Sequence, residues 1–186
     1  MTNEEKYVVN PLLEYFLDKA RSGANWELLH RPSTGAAATG WDLQIRRHNQ
    51  VLLIEAKYFT RSFIGSFAGL VTAPLTNRPE KTVRGMYRSW SSKICWAIGS
   101  GYKNRNIYQI FFDYLSRESS FWPCYVEALK IGDVYFVEKD KVAKINFKEL
   151  IKLADSYKKQ VNIHGIKLEK KRRIANELMK NSLKFV

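Results

Sequence analysis

The sequence predicts an α/β protein in which helices flank a mixed central sheet, built as one domain of 186 residues. Three observations predict this class. Apolar residues recur at helical spacing at both ends of the chain and once in its middle. Between them lie short runs rich in β-branched and aromatic residues, bounded by Gly, Pro, Asn and Asp. Two of those runs, Gly40-Trp41-Asp42-Leu43-Gln44-Ile45 and Val51-Leu52-Leu53-Ile54-Glu55-Ala56-Lys57, are joined by a polar turn and read as a β-hairpin. Helices before, between and after strands place helical layers on a sheet.

The elements follow in order. Residues 3–21 form a helix, since Glu5, Val8, Val9, Leu12, Leu13, Phe16 and Leu17 keep i, i+3, i+4, i+7 spacing. Pro11 kinks it or starts a second helix, and Ser22-Gly23 ends it. Trp26–Arg31 is a strand. Pro32-Ser33-Thr34-Gly35 and Gly40 bracket a loop into the hairpin. Residues 60–92 carry a helical patch over Phe63–Val71, a break at Ala73–Pro79 and a helix over 80–91. Lys93–Ile98 is a strand, Gly99-Ser100-Gly101 a turn and Asn104–Ser119 a helix. Cys124–Lys130, Asp133–Glu138 and Lys141–Ile145 are strands, the last two joined at Lys139-Asp140. Phe147–Lys159 and Ile166–Lys180 are the closing helices, so the whole chain, 1–186, reads as one domain with basic C-terminal helices from about 147.

Charge narrows the function. Thirty-one Lys and Arg against 18 Asp and Glu give a formal net charge of +13 and a pI of about 9.7. Such a balance selects a polyanionic partner, nucleic acid first and an anionic membrane surface second. An apolar content of 45% argues for a packed core and against a basic tail protein. Cys95 and Cys124 sit in apolar runs and read as buried thiols in a reducing cytoplasm. The three histidines, His30, His48 and His164, show no partner in the sequence, and no zinc spacing appears. The polar N-terminus is no signal peptide, and no apolar run approaches the ~18 residues of a membrane span.

The hairpin carries the chemistry. Side chains alternate along a strand, so Asp42, Gln44 and Arg46 share one face; Val51, Leu53, Glu55 and Lys57 share a face of the second strand. Closing the turn at His48-Asn49 sets Arg46 opposite Val51 and, counting back, Asp42 opposite Glu55. Directly opposed residues have Cβ atoms about 4.5–5.5 Å apart. Two carboxylates at that distance suit one divalent ion, and Mg²⁺ prefers oxygen donors, to which the Ala56 carbonyl adds one. Lys57, diagonally across from Asp42, is placed to orient water or to stabilise the charge that develops at phosphorus. The bland alternative is a solvated face with a Glu/Lys pair.

On these residues the chain resembles the PD-(D/E)XK nuclease superfamily. Trp41-Asp42 is similar to its "PD", with Trp in place of Pro, and Glu55-Ala56-Lys57 to its "(D/E)XK". The resemblance covers about residues 31–58. It implies a restriction-endonuclease-like α/β/α sandwich and a DNA endonuclease using Mg²⁺, with Mn²⁺ able to stand in. Asp42, Glu55 and Ala56 would hold the metal, and Lys57 would act as base or charge stabiliser. Many members add an acid from the first helix. Glu5 shares the stripe of Val8, Val9 and Leu12, whereas Glu14 faces solvent; Thr2-x-x-Glu5 is also a capping box. The size and the Arg-Pro-Ser-Thr-Gly…Gly-Trp-Asp run resemble the small subunit of a heterodimeric type IIS restriction endonuclease. That implies a chain monomeric alone, which cuts one strand of double-stranded DNA when recruited by a larger, DNA-recognising nicking subunit. The alternatives are a self-sufficient homodimeric junction-resolving or repair nuclease, and a non-catalytic DNA-binding or assembly module.

Candidate DNA contacts are Ser33 and Thr34 in the loop, Arg61, and Lys81, Arg84 and Arg88 on one helical face. Each also has a plain reading, a permissive turn or a solvated face. The C-terminal run Lys170-Lys171-Arg172-Arg173 either tracks phosphates or is the wet side of a helix whose Ile166, Ile174 and Leu178 pack inward.

Overall fold

The computed structural model describes residues 1–23, 25–30, 42–58, 92–99, 107–117, 131–138 and 141–185. Among the described residues, seven strands form one mixed sheet whose spatial order is the chain order: β1 (Trp26–His30), β2 (Leu43–Arg47), β3 (Gln50–Tyr58), β4 (Ser92–Gly99), β5 (Ile131–Glu138), β6 (Lys141–Asn146) and β7 (Lys184–Phe185). β3, β4 and β5 run parallel, and the flanking pairs are antiparallel. The helices are α1 (Asn10–Arg21), α2 (Ile107–Arg117), α3 (Phe147–Val161) and α4 (Leu168–Lys180). The mixed α/β class is therefore as the sequence predicts.

Both faces of the sheet are covered. On one, Val8, Leu12, Leu13 and Phe16 pack against Leu43, Ile45, Leu52, Ile54, Ala56, Cys95, Ala97, Tyr135 and Val137. On the other, α2, α3 and α4 pack against Ile98, Val134, Phe136 and Ile145, with Val51 at the margin. Alternation along β3 and β5 sends successive residues to opposite cores, which is why these strands are apolar on both faces.

The first helix differs from its predicted form. A π-helical turn, Glu5–Val9, precedes α1, with the Asn10 N–H bonded to the Glu5 carbonyl. Pro11 follows at once. Proline has no N–H to give and crowds the carbonyl four residues back, that of Tyr7, so the helix widens there rather than breaking. The Tyr7 carbonyl lies against Gly99, only 2.9 Å from where a Cβ would stand. Gly99 is the last residue of strand β4, and its missing Cβ lets the helix sit close to the sheet; the rest of the predicted turn, Ser100-Gly101, lies outside the described residues. Tyr7 also stacks on Tyr58 at the end of β3, with ring centroids 5.5 Å apart.

α3 starts directly after β6, capped by the Asn146 side chain, which accepts from the Lys148 N–H at 3.0 Å. A buried polar network ties α2 to α3: the Tyr157 hydroxyl donates to Asp113 at 2.7 Å, and the Gln109 amide donates to the same carboxylate. Burial and this bond to Asp113 hold the Tyr157 hydroxyl well above the usual tyrosine range. β7, too short for a sequence pattern, adds to β6 through Ala143 and Lys144. The predicted strand Cys124–Lys130 and the helices over Phe63–Val71 and 80–91 lie outside the described residues, as does Cys124. Cys95 is buried, as expected.

Candidate active site

The β2–β3 hairpin closes as the spacing predicts. Arg47 pairs with Gln50, Arg46 with Val51 and Leu43 with Ile54, leaving His48-Asn49 as a two-residue turn. His48 takes the left-handed conformation (φ 50°) that such turns demand. It is no bystander: its N–H donates to the Asn25 carbonyl at 3.2 Å, and its Nδ1 lies 3.4 Å from the Asn25 side-chain nitrogen. The Asn25–His48 contacts secure the turn against the chain entering β1, and so fix the pairing further along.

At the far end of the hairpin, β3 outlasts β2. The paired ladder stops at Leu43 and Ile54, while β3 continues through Tyr58. Asp42 stands at this step. Its N–H donates to the Ile54 carbonyl at 3.0 Å. Its Oδ2 accepts from the Ala56 N–H at 2.7 Å. These two bonds grip β3 on either side of Glu55; the expected Asp42–Glu55 rung is not itself part of the ladder, which ends at Leu43 and Ile54. The carboxylate does for the Ala56 N–H what a further residue of β2 would have done: it supplies the acceptor that a fully buried backbone donor requires. Asp42 itself is half-buried.

β3 has β4 as its parallel neighbour on the other side, with Glu55 beside Trp96, Ala56 beside Ala97 and Lys57 beside Ile98. Leu52, Ile54 and Ala56 belong to the core under α1, so alternation assigns positions 55 and 57 to the face that carries Val51. Both lie toward the carboxyl end of a parallel strand, where open α/β sheets place their ligand sites.

The acids of the first helix lie elsewhere. Glu14 is exposed, as expected. Glu5 closes the capping box: its Oε2 accepts from the Thr2 N–H at 2.6 Å, and the Thr2 hydroxyl accepts from the Glu5 N–H at 3.1 Å. Its helix packs on the sheet face that carries Leu52, Ile54 and Ala56, opposite to the parity of positions 55 and 57. Of the expected site residues, then, Asp42, Glu55, Ala56 and Lys57 share one strand end, and Glu5 is engaged with Thr2. Ser33, Thr34, Arg61, Lys81, Arg84 and Arg88 lie outside the described residues.

The donors at this end are a carboxylate and backbone carbonyl groups, a set of hard oxygen ligands that fits Mg²⁺ better than zinc or copper. A carboxylate accepts at about four lone-pair positions, so the Ala56 bond leaves Asp42 chemically able to ligate. Among the described residues no three His, Cys, Asp or Glu side chains form a metal-holding group. Also among the described residues, no helix is long and apolar enough to cross a membrane. Sequence reasoning missed the Asp113–Tyr157–Gln109 network. Its signal was present: Gln109, Asp113 and Ser116 form a polar stripe at i, i+4, i+7 on an otherwise apolar helix. Compared with protein-family models, curated proteins and solved structures, the chain matches none.

Proposed function

We propose that this protein is a Mg²⁺-dependent DNA endonuclease whose cutting centre is the end of β3. The observation that supports the reading best is the pair of bonds that hold Asp42 beside Glu55, from its N–H to the Ile54 carbonyl and from the Ala56 N–H to its carboxylate. Asp42, Glu55 and the Ala56 carbonyl would hold the ion, which supplies charge neutralisation at phosphorus and an activated water. Lys57, two residues beyond Glu55 on the same strand, orients the attacking water or stabilises the charge on the phosphate oxygens. A net charge of +13 supports a polyanionic substrate. Glu5 stays outside this machinery because its helix packs on the face opposite to the parity of positions 55 and 57.

The finer reading is a one-strand-cutting small subunit, recruited by a larger DNA-recognising nicking subunit of type IIS character. It rests on the resemblance and on chain size. The test is cleavage of supercoiled and of pre-nicked plasmid in Mg²⁺ or Mn²⁺, alone and with any larger nicking nuclease found encoded beside it. Asp42→Asn and Lys57→Ala should each lower the rate by about 10²–10³-fold. Cleavage by both variants at the wild-type rate would refute the assignment. Robust cutting of branched DNA by a homodimer without a partner would favour the junction-resolving alternative.

A further inference from the structure

A concentration of positive charge outside the cutting centre lies at the tip of the α3–α4 hairpin. From Lys158 to Lys184 the chain carries nine Lys and Arg against Glu169 and Glu177. No acid falls between Asp155 and Glu169, the stretch that contains the turn and Lys158, Lys159 and Lys167. Lys159, Lys167 and Lys170 are exposed, and no ion pair engages them among the described residues. Unneutralised like charges at close quarters repel one another, so a fold that gathers them gains only when an anion arrives.

The tip is rigid. Tyr157 anchors the end of α3, and Ile174, Ala175 and Met179 anchor α4 in the core. The turn between them is fixed by the Ile166 N–H to the Ile163 carbonyl at 3.2 Å, and by Gly165 at φ 73°. The lysines are therefore presented in one arrangement rather than on a loose tail. Ile163 and Leu168, 54% and 49% exposed, project from the same tip. A membrane-surface helix would turn its apolar face outward. Here the apolar face of α4 is buried, which favours a phosphate backbone over a bilayer.

We propose that the tip of the α3–α4 hairpin, through Lys159, Lys167 and Lys170, holds the phosphate backbone of duplex DNA independently of the cutting centre. The inference goes beyond the cleavage reading and does not depend on it. The test is anisotropy of a labelled DNA duplex with the full chain in EDTA, titrated with salt. One variant is K159Q/K167Q/K170Q. The control, K141Q/K148Q/K152Q, removes the same charge at exposed positions, two of them in α3, about 16 and 10 Å along the helix from Lys159. The tip variant should bind at least about tenfold more weakly, and its log K against log salt slope should flatten by two to three units, about 0.9 for each lost contact. The control should move less than about threefold, and Asp42→Asn should bind as the wild type does. Equal losses in both triple variants would mean bulk charge alone, and would overturn the inference. So would unchanged duplex binding, or loss confined to phosphatidylserine vesicles. Because metal is absent, loss of the cleavage reading leaves this result untouched, and the reverse holds too. Circular dichroism melts of both triple variants confirm that each is folded.

Discussion

Asp42→Ala and Asp42→Asn should separate the structural work of this residue from its chemistry. In the wild type, the Ala56 N–H gives its bond to the Asp42 carboxylate at 2.7 Å, and Ala56 is 0% exposed. Alanine at 42 removes the acceptor where water does not reach. An unsatisfied buried donor costs about 1–3 kcal/mol, and a charge-assisted bond lies toward the upper end. Asparagine keeps a carbonyl oxygen at nearly the same place, so it should retain the bond and lose only the charge, at a cost of about 1 kcal/mol or less. Urea denaturation followed by circular dichroism reads both. With a slope of about 2 kcal/mol per molar urea, Asp42→Ala should lower the midpoint by about 1 M. Asp42→Asn should lower it by about half that or less, while reducing cleavage as strongly as Asp42→Ala does. If Asp42→Ala is as stable as wild type, or Asp42→Asn is as damaged as Asp42→Ala, then the carboxylate does not sustain the end of β3 and the site geometry is wrong.

Other perturbations probe the frame around it. A methyl group at Gly99 would stand 2.9 Å from both the Tyr7 carbonyl and the Val8 side chain, so Gly99→Ala should destabilise by about 1–3 kcal/mol, measured by the same urea titration. Tyr157 keeps its proton in the fold well above the ordinary value of 10.0. Stability should therefore be intact below pH 10 and fall above it, as the unfolded chain ionises first, by up to about 1.4 kcal/mol per pH unit. Tyr157→Phe should be less stable at neutral pH and show a shallower alkaline decline in melts across pH 9–11. Thr2→Ala should cost about 0.5–1 kcal/mol by breaking the capping box. Glu5→Gln keeps an acceptor for the Thr2 N–H, so both its stability and its plasmid-cutting rate should match the wild type within about twofold.

The hairpin was legible because two local signals agreed. Alternation over Leu43–Ile45 and Leu52–Ala56 allowed only one buried face, and the polar run Arg47–Gln50 left a two-residue turn that keeps that face buried. Register then followed by counting. The π turn was not legible, since Pro11 announces a disturbance without saying how the helix absorbs it; the answer lies in the approach of Tyr7 to Gly99, a contact made across the chain. The same limit applies to Glu5. One residue fitted two local patterns, the core stripe and the capping box, and only the coordinates of Thr2 distinguish them. β7 pairs by position alone, through two residues that no period of two can reveal.

What remains is why position 42 carries an acid. The end of β3 needs an acceptor for the Ala56 N–H, and Asn or Ser supplies one without charge. An aspartate brings a full charge to a half-buried position, where the Ala56 N–H is one of the groups it meets. Glu55, the residue of β3 between the two that Asp42 bonds, adds a second acid at this strand end. Packing and backbone accounting explain an acceptor at 42, and they explain neither the charge nor its neighbour. On the proposed metal reading, a cation held by 42 and 55 would offset the charge of both acids. Metal binding should therefore stabilise the fold. Saturating Mg²⁺ should raise the wild-type melting temperature and leave Asp42→Asn unmoved, and equal shifts in the two proteins would place the ion somewhere else.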